Sequence, residues 1–168
     1  MNAISRKNSE AGTQIVEMAI VLPLLCLLVF FVVSGSDLVR AHNVLNNAAR
    51  EGARLIVQEE NSACGETTNS NYSSCVSSIV SAVKAYSCFE QGGIWAAGVC
   101  TPNKHKVLLI NPANMSVAIA HSQVPDGTGA VMNISTVSVT YPYTLFANFS
   151  TVSNTQTLQA KASFRNMY

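Results

Sequence analysis

The chain has 168 residues, a net charge of +1 and only 11% charged side chains. This length suits one modest domain with an accessory segment. The sparse charge argues against a nucleic-acid partner, because phosphate binding needs clustered Lys and Arg.

An apolar run covers residues 15–33, and Glu17 is its one charged residue. As a helix, this run would measure about 28 Å, which matches the hydrocarbon core of a bilayer. Arg6 and Lys7 precede the run and favour a cytoplasmic N-terminus, so the later residues are expected beyond the inner membrane. Cys26 lies within the run and is expected to be a free, small apolar residue.

The position of Glu17 needs an explanation, because a carboxylate near mid-bilayer costs about 2.5 kcal/mol or more. One interpretation places Glu17 at the membrane edge, near the headgroups. The other is that Glu17 pairs with a cation supplied by another molecule. The rest of the run does not decide between them.

A cleaved signal peptide is a further interpretation of the N-terminal segment, because Ser34, Gly35 and Ser36 offer small residues for a signal peptidase. Two features count against it. The apolar run exceeds the usual length of about 7–15 residues, and Glu17 interrupts its start.

The helical pattern continues beyond the apolar run as an amphipathic stripe. Apolar or small residues recur at spacings of three and four, as expected for one buried helix face: Leu38, Ala41, Leu45, Ala48, Gly52, Leu55 and Ile56. The pattern predicts one helix over about residues 13–58, roughly 70 Å long. Pro23 lies inside it and predicts a kink, because proline removes a donor and frees the carbonyl of Ala19.

The remaining residues predict an exported α+β domain. Residues 59–74 are polar and predict a loop, and residues 75–86 predict a short helix. Turns are expected at residues 91–93 and 101–103. Alternating and β-branched patterns then predict strands at residues 107–110, 115–120, 132–141 and 158–164. We therefore expect a long helix packed on a small antiparallel sheet.

Four cysteines fall in the exported region, which favours two disulfides in an oxidising compartment. Of the three possible pairings, Cys64–Cys75 and Cys88–Cys100 are favoured because each closes a short loop that contains turn residues. A zinc site made by all four cysteines is the alternative, but no C-x-x-C pair is present.

No catalytic pattern is recognisable. The sequence contains no P-loop, no G-x-G-x-x-G and no H-E-x-x-H motif. Three histidines, His42, His105 and His121, stand in no motif relation to a nucleophile or a carboxylate pair. We expect a protein that is not an enzyme and that uses no metal or cofactor.

The N-terminal residues resemble a type IV pilin-like precursor, with a short basic leader that ends in Gly12, followed five positions later by Glu17. Two further motifs resemble the TadE-like proteins of tight-adherence pilus systems. "VEMAIVLPLL" matches a V-E-x-A-x-x-x-P core, and "NNAAREGAR" at residues 46–54 matches an A-A-R-E-G-A-R block about thirty residues later. Met18, where many small pilins have Tyr, and the long exported domain favour a minor pilin, or pseudopilin, over the major fibre subunit.

The resemblance implies a division of the chain and a set of partners. Residues 1–12 would be a leader that a prepilin peptidase removes between Gly12 and Thr13. Residues 13–34 would span the bacterial inner membrane, residues 35–58 would continue the helix, and residues 59–168 would form the periplasmic domain. Other minor pilins and the major pilin of the same system would be partners, with Glu17 meeting the new α-ammonium of Thr13.

The A-A-R-E-G-A-R block has two interpretations. Its small residues would allow a neighbouring subunit to approach closely, or they would let the protein's own sheet pack on the helix, which we favour. The block comprises Ala48, Ala49, Arg50, Glu51, Gly52, Ala53 and Arg54. Two hypotheses compete for the whole chain: a permanently anchored, unprocessed periplasmic binding module, and a secreted enzyme or toxin released at Ser36.

Overall fold

The structure is a computed structural model that describes residues 3–58, 64, 70–104, 108–125, 127–128, 131–144 and 155–165. The chain divides into two compact units, residues 1–38 and residues 39–168. A single helix, α1, spans Ala3–Gln58. It ends where the sequence predicted but begins ten residues earlier. The sequence explains this, since residues 3–12 contain no proline and a single glycine costs a helix only about 1 kcal/mol.

The first unit is the apolar part of α1. Its large hydrophobic side chains are exposed, including Ile20 at 67% and Phe31 at 64%. The helical stretch Gln14–Gln58 contains a window of mean hydropathy 2.9 with none of its residues buried, and it is long and apolar enough to cross a membrane. These properties are consistent with a single-span membrane protein.

The second unit contains the second helix and a hairpin. Helix α2 spans Tyr72–Glu90, three residues earlier and four residues later than predicted. Strands β1, Gly93–Ala96, and β2, Val99–Pro102, follow as an antiparallel pair. The sequence analysis missed this hairpin and wrongly assigned residues 101–103 to a turn. The turn is instead Ala97-Gly98, whose φ angles of 50° and 81° are those of a tight hairpin connection.

A three-stranded antiparallel sheet completes the second unit. Strands β3, Ser116–Pro125, β4, Val131–Thr144, and β5, Thr155–Arg165, lie in the order β3-β4-β5. The predicted antiparallel sheet is confirmed, although each strand is longer than predicted. A short 3₁₀ helix, Pro112–Asn114, precedes it.

The predicted strand at residues 107–110 is wrong for residues 108–110, and residue 107 lies outside the described residues. The backbone of Ile110 is bonded to a side chain instead of a neighbouring strand. Its N–H donates to Oε1 of Gln91 at 2.8 Å, and its carbonyl accepts from Nε2 of the same residue at 3.0 Å. Because the backbone N–H and carbonyl of Ile110 are hydrogen-bonded to a side chain, they do not need hydrogen bonds to a neighbouring strand.

One hydrophobic core joins α1, α2 and the sheet, and this confirms the α+β class. The predicted stripe on α1 supplies Ala41, Leu45, Ala48 and Ile56. The other elements contribute Ile79 and Val83 from α2, Val137 and Val139 from β4, and Ala160 and Ala162 from β5. Ala160 and Ala162 of β5 are 3% and 9% exposed in this core.

Candidate assembly segment

Gly12 and Glu17, the two residues of the predicted processing motif, both lie on α1. A Cβ built on Gly12 would meet no atom within 4 Å, so its lack of a side chain serves no packing inside the chain. The Glu17 side chain is exposed, and the ion pair found among the described residues is Glu51–Arg54 at 3.6 Å, which does not involve Glu17. Thr13 lies in the same helix, and its side chain is outside what the structure describes.

Pro23 lies inside α1, and the helix is assigned without a break on either side of it. Its apolar neighbours Leu22 and Leu24 are 60% and 65% exposed. The kink at Pro23 stays a prediction.

The small residues of the A-A-R-E-G-A-R block are used for packing inside the chain. Ala48, Ala49 and Ala53 are all 0% exposed. A Cβ built on Gly52 would lie 2.5 Å from Cγ2 of Val83 and 3.3 Å from Cγ1 of Val137. Helix α2 and strand β4 thus occupy the face that a neighbouring subunit would otherwise approach.

The charged residues of the same block lie on the opposite side. Arg50 and Arg54 are exposed, and Arg54 makes the ion pair with Glu51 at i,i+3 spacing. A solvent-exposed pair of this kind contributes little to stability. The block therefore combines an inward face of small residues with an outward cationic face.

Two disulfides, Cys64–Cys75 and Cys88–Cys100, are present, with Cα–Cα distances of 5.6 Å and 5.7 Å. These are the two pairings that the sequence analysis favoured because each closes a short loop. The two disulfides use all four cysteines that follow the apolar run, and the described residues contain no cluster of three or more His, Cys, Asp or Glu that could hold a metal. Cys26 is free and exposed on α1.

Gly93 lies directly against the second disulfide. A Cβ at this position would be 2.8 Å from Sγ of both Cys88 and Cys100. The sequence analysis assigned Gly93 to a turn and missed this contact. A Gly-Gly pair in a sequence does not indicate that a disulfide packs against it. The close approach fixes the start of the β1-β2 hairpin at the end of α2.

Two polar contacts join elements that the sequence analysis did not connect. Asn47 of α1 donates from Nδ2 to a carboxylate oxygen of Glu90 at 3.1 Å. In the sheet, Nδ1 of His121 lies 2.9 Å from Oγ of Ser135. Ser135 is 0% exposed, so its hydroxyl group is closed off from solvent. The pairing of His121 with Ser135 follows from the register between β3 and β4. Sequence patterns alone do not determine that register.

Two residues of the second unit, Tyr86 and His121, have shifted pKa values. Burial, reinforced by the carboxylates of Glu90 and Glu51, raises the pKa of Tyr86. Desolvation lowers the pKa of His121. Nε2 of His121 is buried without a hydrogen-bond partner, and its ring meets Tyr72 edge-on at 5.8 Å between centroids.

Comparison with known proteins gives one match. Residues 12–54 match the family model described as TadE-like protein. The match begins at Gly12 and ends at Arg54, so it covers the processing motif, the apolar run and the A-A-R-E-G-A-R block. No curated protein and no solved structure matches the chain.

Proposed function

We propose that this chain, which carries a TadE-like segment at residues 12–54, is a structural minor pilin, or pseudopilin, of a tight-adherence type IV pilus. It acts in the assembly or initiation of the fibre and is not an enzyme. Its N-terminus faces the cytoplasm, one helix crosses the bacterial inner membrane, and the second unit lies in the periplasm. Other minor pilins and the major pilin of the same system are its partners.

The observation that carries this proposal is the extent of the family match. It starts at the glycine after which a prepilin peptidase would cut, and it includes the carboxylate five residues later. The match therefore includes the proposed cleavage site and the apolar run. It also includes the A-A-R-E-G-A-R block, which packs inside the second unit. The open space around Gly12 supports a glycine kept for the peptidase, since packing in the chain makes no demand on it.

Glu17 has a physical role in this proposal. Cleavage after Gly12 creates an α-ammonium at Thr13. In a stack of subunits the Glu17 carboxylate meets that ammonium, from its own chain or from a neighbour, in a medium of low dielectric constant. The pair offsets the desolvation that each ion alone would suffer, so its main effect is on register and docking.

The small residues of the A-A-R-E-G-A-R block pack inside the chain, which supports contacts between subunits at a different part of α1. Because Gly52 packs on Val83 and Val137 and its neighbouring alanines are buried, this face is not free for another subunit. Contacts between subunits are then assigned to the apolar part of α1, whose side chains are exposed from Ile15 to Val33.

An unprocessed, single-span periplasmic binding module is the alternative function. It is favoured by the size of the second unit, residues 39–168, which has its own core and two disulfides. In this alternative Glu17 lies at the membrane edge, near the headgroups, and does not pair with the α-ammonium of a neighbouring subunit.

The Glu17→Gln variant tests the proposal. The change keeps size and shape but removes the charge, so insertion, cleavage and disulfide formation are expected to be unaffected. Recovery of partner pilins by co-purification at equal expression should be lost, because an unpaired ammonium in lipid costs several kcal/mol. Glu51→Gln, which removes the half-buried carboxylate of the Glu51–Arg54 ion pair, is the matched control and should recover partners normally. Equal recovery with Glu17→Gln would leave the binding-module alternative standing.

A further inference from the structure

The β1-β2 hairpin presents an apolar face to its surroundings. The cross-strand pairing places four exposed side chains together on this outward face: Ile94, Ala96, Val99 and Thr101. Ile94 is 58% exposed and Val99 is 59% exposed. Phe89, whose carbonyl accepts from the N–H of Gly92 at the start of the hairpin, is also 59% exposed. Grouped apolar surface of this kind marks a site of interaction.

The opposite face of the hairpin is fastened to α2. An isolated two-stranded hairpin is only marginally stable in water. Here the Cys88–Cys100 disulfide joins β2 to the helix, and Gly93 lies against both sulfur atoms. On the same face Cys100 is buried and Trp95 is half-buried. Since residues 91–103 contain no charged side chain, the hairpin is a firmly held, uncharged projection with an apolar outer face.

Contacts within the second unit place the base of the hairpin along α1. Gly52 of α1 meets Val83 of α2, and Asn47, earlier in α1, donates to Glu90, later in α2. The two helices are therefore antiparallel in this unit. The C-terminal end of α2, from which the hairpin begins, lies toward the N-terminal end of this part of α1, which starts at Val39.

The chain itself keeps Val39 close to the apolar run. Val39 follows Val33, the last residue of that run, by six residues. Six residues cannot span more than about 22 Å even when fully extended, whatever arrangement the two units take. The eight helical residues from Val39 to Asn47 add only about 12 Å. The hairpin is thus held on a short tether to any membrane that the apolar run crosses.

We propose that the outer face of the β1-β2 hairpin, with Phe89 beside it, docks on the surface of the membrane that α1 spans. Its apolar side chains enter the boundary between headgroups and acyl chains, where a tryptophan such as Trp95 is also favoured. A lipid surface suits this face because it requires apolar area and no charged group to fix an orientation. The inference rests on the membrane span of the proposed function, but not on the pilus assignment.

The single tryptophan, Trp95, lies in the hairpin and supplies the test. The full-length chain is reconstituted in vesicles of phosphatidylcholine and phosphatidylglycerol. The phosphatidylcholine is brominated either near the carbonyl end or near the terminal end of its acyl chains, because bromine quenches tryptophan at close range. Trp95 should be quenched, and more strongly by bromine near the carbonyl end, since an interfacial segment enters the bilayer by only about 5–10 Å.

Two valines of equal exposure give a matched pair of variants. Val99 and Val131 are both 59% exposed, and each lies in a strand. Val99→Glu should abolish the quenching of Trp95, because a carboxylate opposes entry into lipid. Val131→Glu should leave the quenching unchanged, and Val99→Leu should retain it. Both disulfides should form in every variant, which shows that the fold is kept.

A second position for the tryptophan reports on the far end of the unit. Val131 begins β4, and further along that strand Ser135 pairs with His121, whose ring meets Tyr72 at the first residue of α2. This end of α2 lies about 27 Å along the helix from the hairpin. The double variant Trp95→Phe/Val131→Trp should therefore show no quenching by either brominated lipid.

Three results would overturn the proposal: an unquenched Trp95 in the vesicle-bound chain, equal quenching of tryptophan at positions 95 and 131, or quenching that survives Val99→Glu. An unquenched Trp95 whose emission shifts to the blue as the protein-to-lipid ratio rises would assign the hairpin to a second copy of the chain, and would also overturn it. A chain that does not float with the vesicles would overturn the membrane span and this proposal together. Because no outcome depends on cleavage at Gly12 or on Glu17, the pilus assignment fails separately.

Discussion

Gly52 of α1 faces Val83 of α2 so closely that a Cβ on the glycine would lie 2.5 Å from Cγ2 of the valine. Both positions are buried, with Val83 0% exposed. The glycine of the A-A-R-E-G-A-R block thus lies at a close contact between the long helix and the second helix. This contact gives the block a structural explanation that does not require a neighbouring subunit.

Gly52→Ala should destabilise the second unit, although alanine is the better helix former by about 1 kcal/mol. The added methyl group must displace Val83 or Val137, and overpacking of this kind costs about 1–3 kcal/mol. Denaturant unfolding followed by the fluorescence of Trp95, the single tryptophan, measures the change. Gly35→Ala is the control, because a Cβ there meets nothing within 4 Å.

The double variant Gly52→Ala/Val83→Ala distinguishes overpacking from a loss of helix flexibility. If the contact with Val83 is the cause, the double variant should be less destabilised than the sum of the two single variants. Strict additivity would contradict the explanation given for this glycine.

Gln91→Met should lower the free energy of unfolding by about 2–4 kcal/mol, because the N–H and carbonyl of Ile110 would both be left buried and unsatisfied. Methionine keeps the length of the side chain but offers neither an amide donor nor a carbonyl acceptor. Gln123→Met, at an exposed position of β3, is the control and should change stability by less than about 0.5 kcal/mol. An equally small effect at Gln91 would mean that the backbone of Ile110 finds other partners.

Stability should fall on acidification through His121. Its pKa in the folded protein lies below the ordinary value of 6.5, so between these two values the unfolded chain binds a proton that the folded chain does not. The free energy of unfolding therefore decreases as the pH falls from about 6.5 towards the lowered pKa, and is unaffected by this group above 6.5. The pH dependence of unfolding should be weaker in His121→Gln than in the native chain.

Thiol alkylation of the denatured, unreduced protein should label one cysteine per chain, Cys26. Cys64, Cys75, Cys88 and Cys100 are unreactive because they form the two disulfides. Peptide mapping should recover Cys64 with Cys75 and Cys88 with Cys100. Three or more labelled cysteines, or a peptide that links Cys64 to Cys100, would contradict the structure.

Sequence periodicity predicted most of the architecture because the long elements carry clean patterns. The stripe from Leu38 to Ile56 repeats at three and four residues, and its members are buried or half-buried. Alternation also identified the strand around Ala160 and Ala162. Patterns of this kind report which face of an element is buried, so they fix element type well and element ends poorly.

The parts that could not be predicted depend on contacts between distant residues. The run ending at Ile110 looked like a strand, and only its partner Gln91 shows why it is not one. The Ala97-Gly98 turn was missed because alanine is uncommon at positive φ, so the dipeptide is a weak hairpin signal. The close contact between Gly52 and Val83 likewise depends on how the two helices pack. The sequence of either helix alone does not show that packing.

Gly12→Val should block removal of the leader, because the peptidase must accommodate a residue with almost no side chain at the cut. The folded chain itself should tolerate the change, since no atom lies within 4 Å of a Cβ at this position. Gly35→Val is the matched control: it is a glycine of the same helix with equally open surroundings, and it should be processed normally. A Gly12→Val variant that still loses its leader would place the cut elsewhere.

The intact mass of the native chain, purified from cells that contain a prepilin peptidase, tests the central claim most directly. The account predicts a chain that lacks residues 1–12, begins at Thr13 and carries two disulfides. A mass that retains residues 1–12 would favour the unprocessed binding module. A mass that lacks residues 1–36 would show release at Ser36, and either of these results would contradict the assignment as a processed minor pilin.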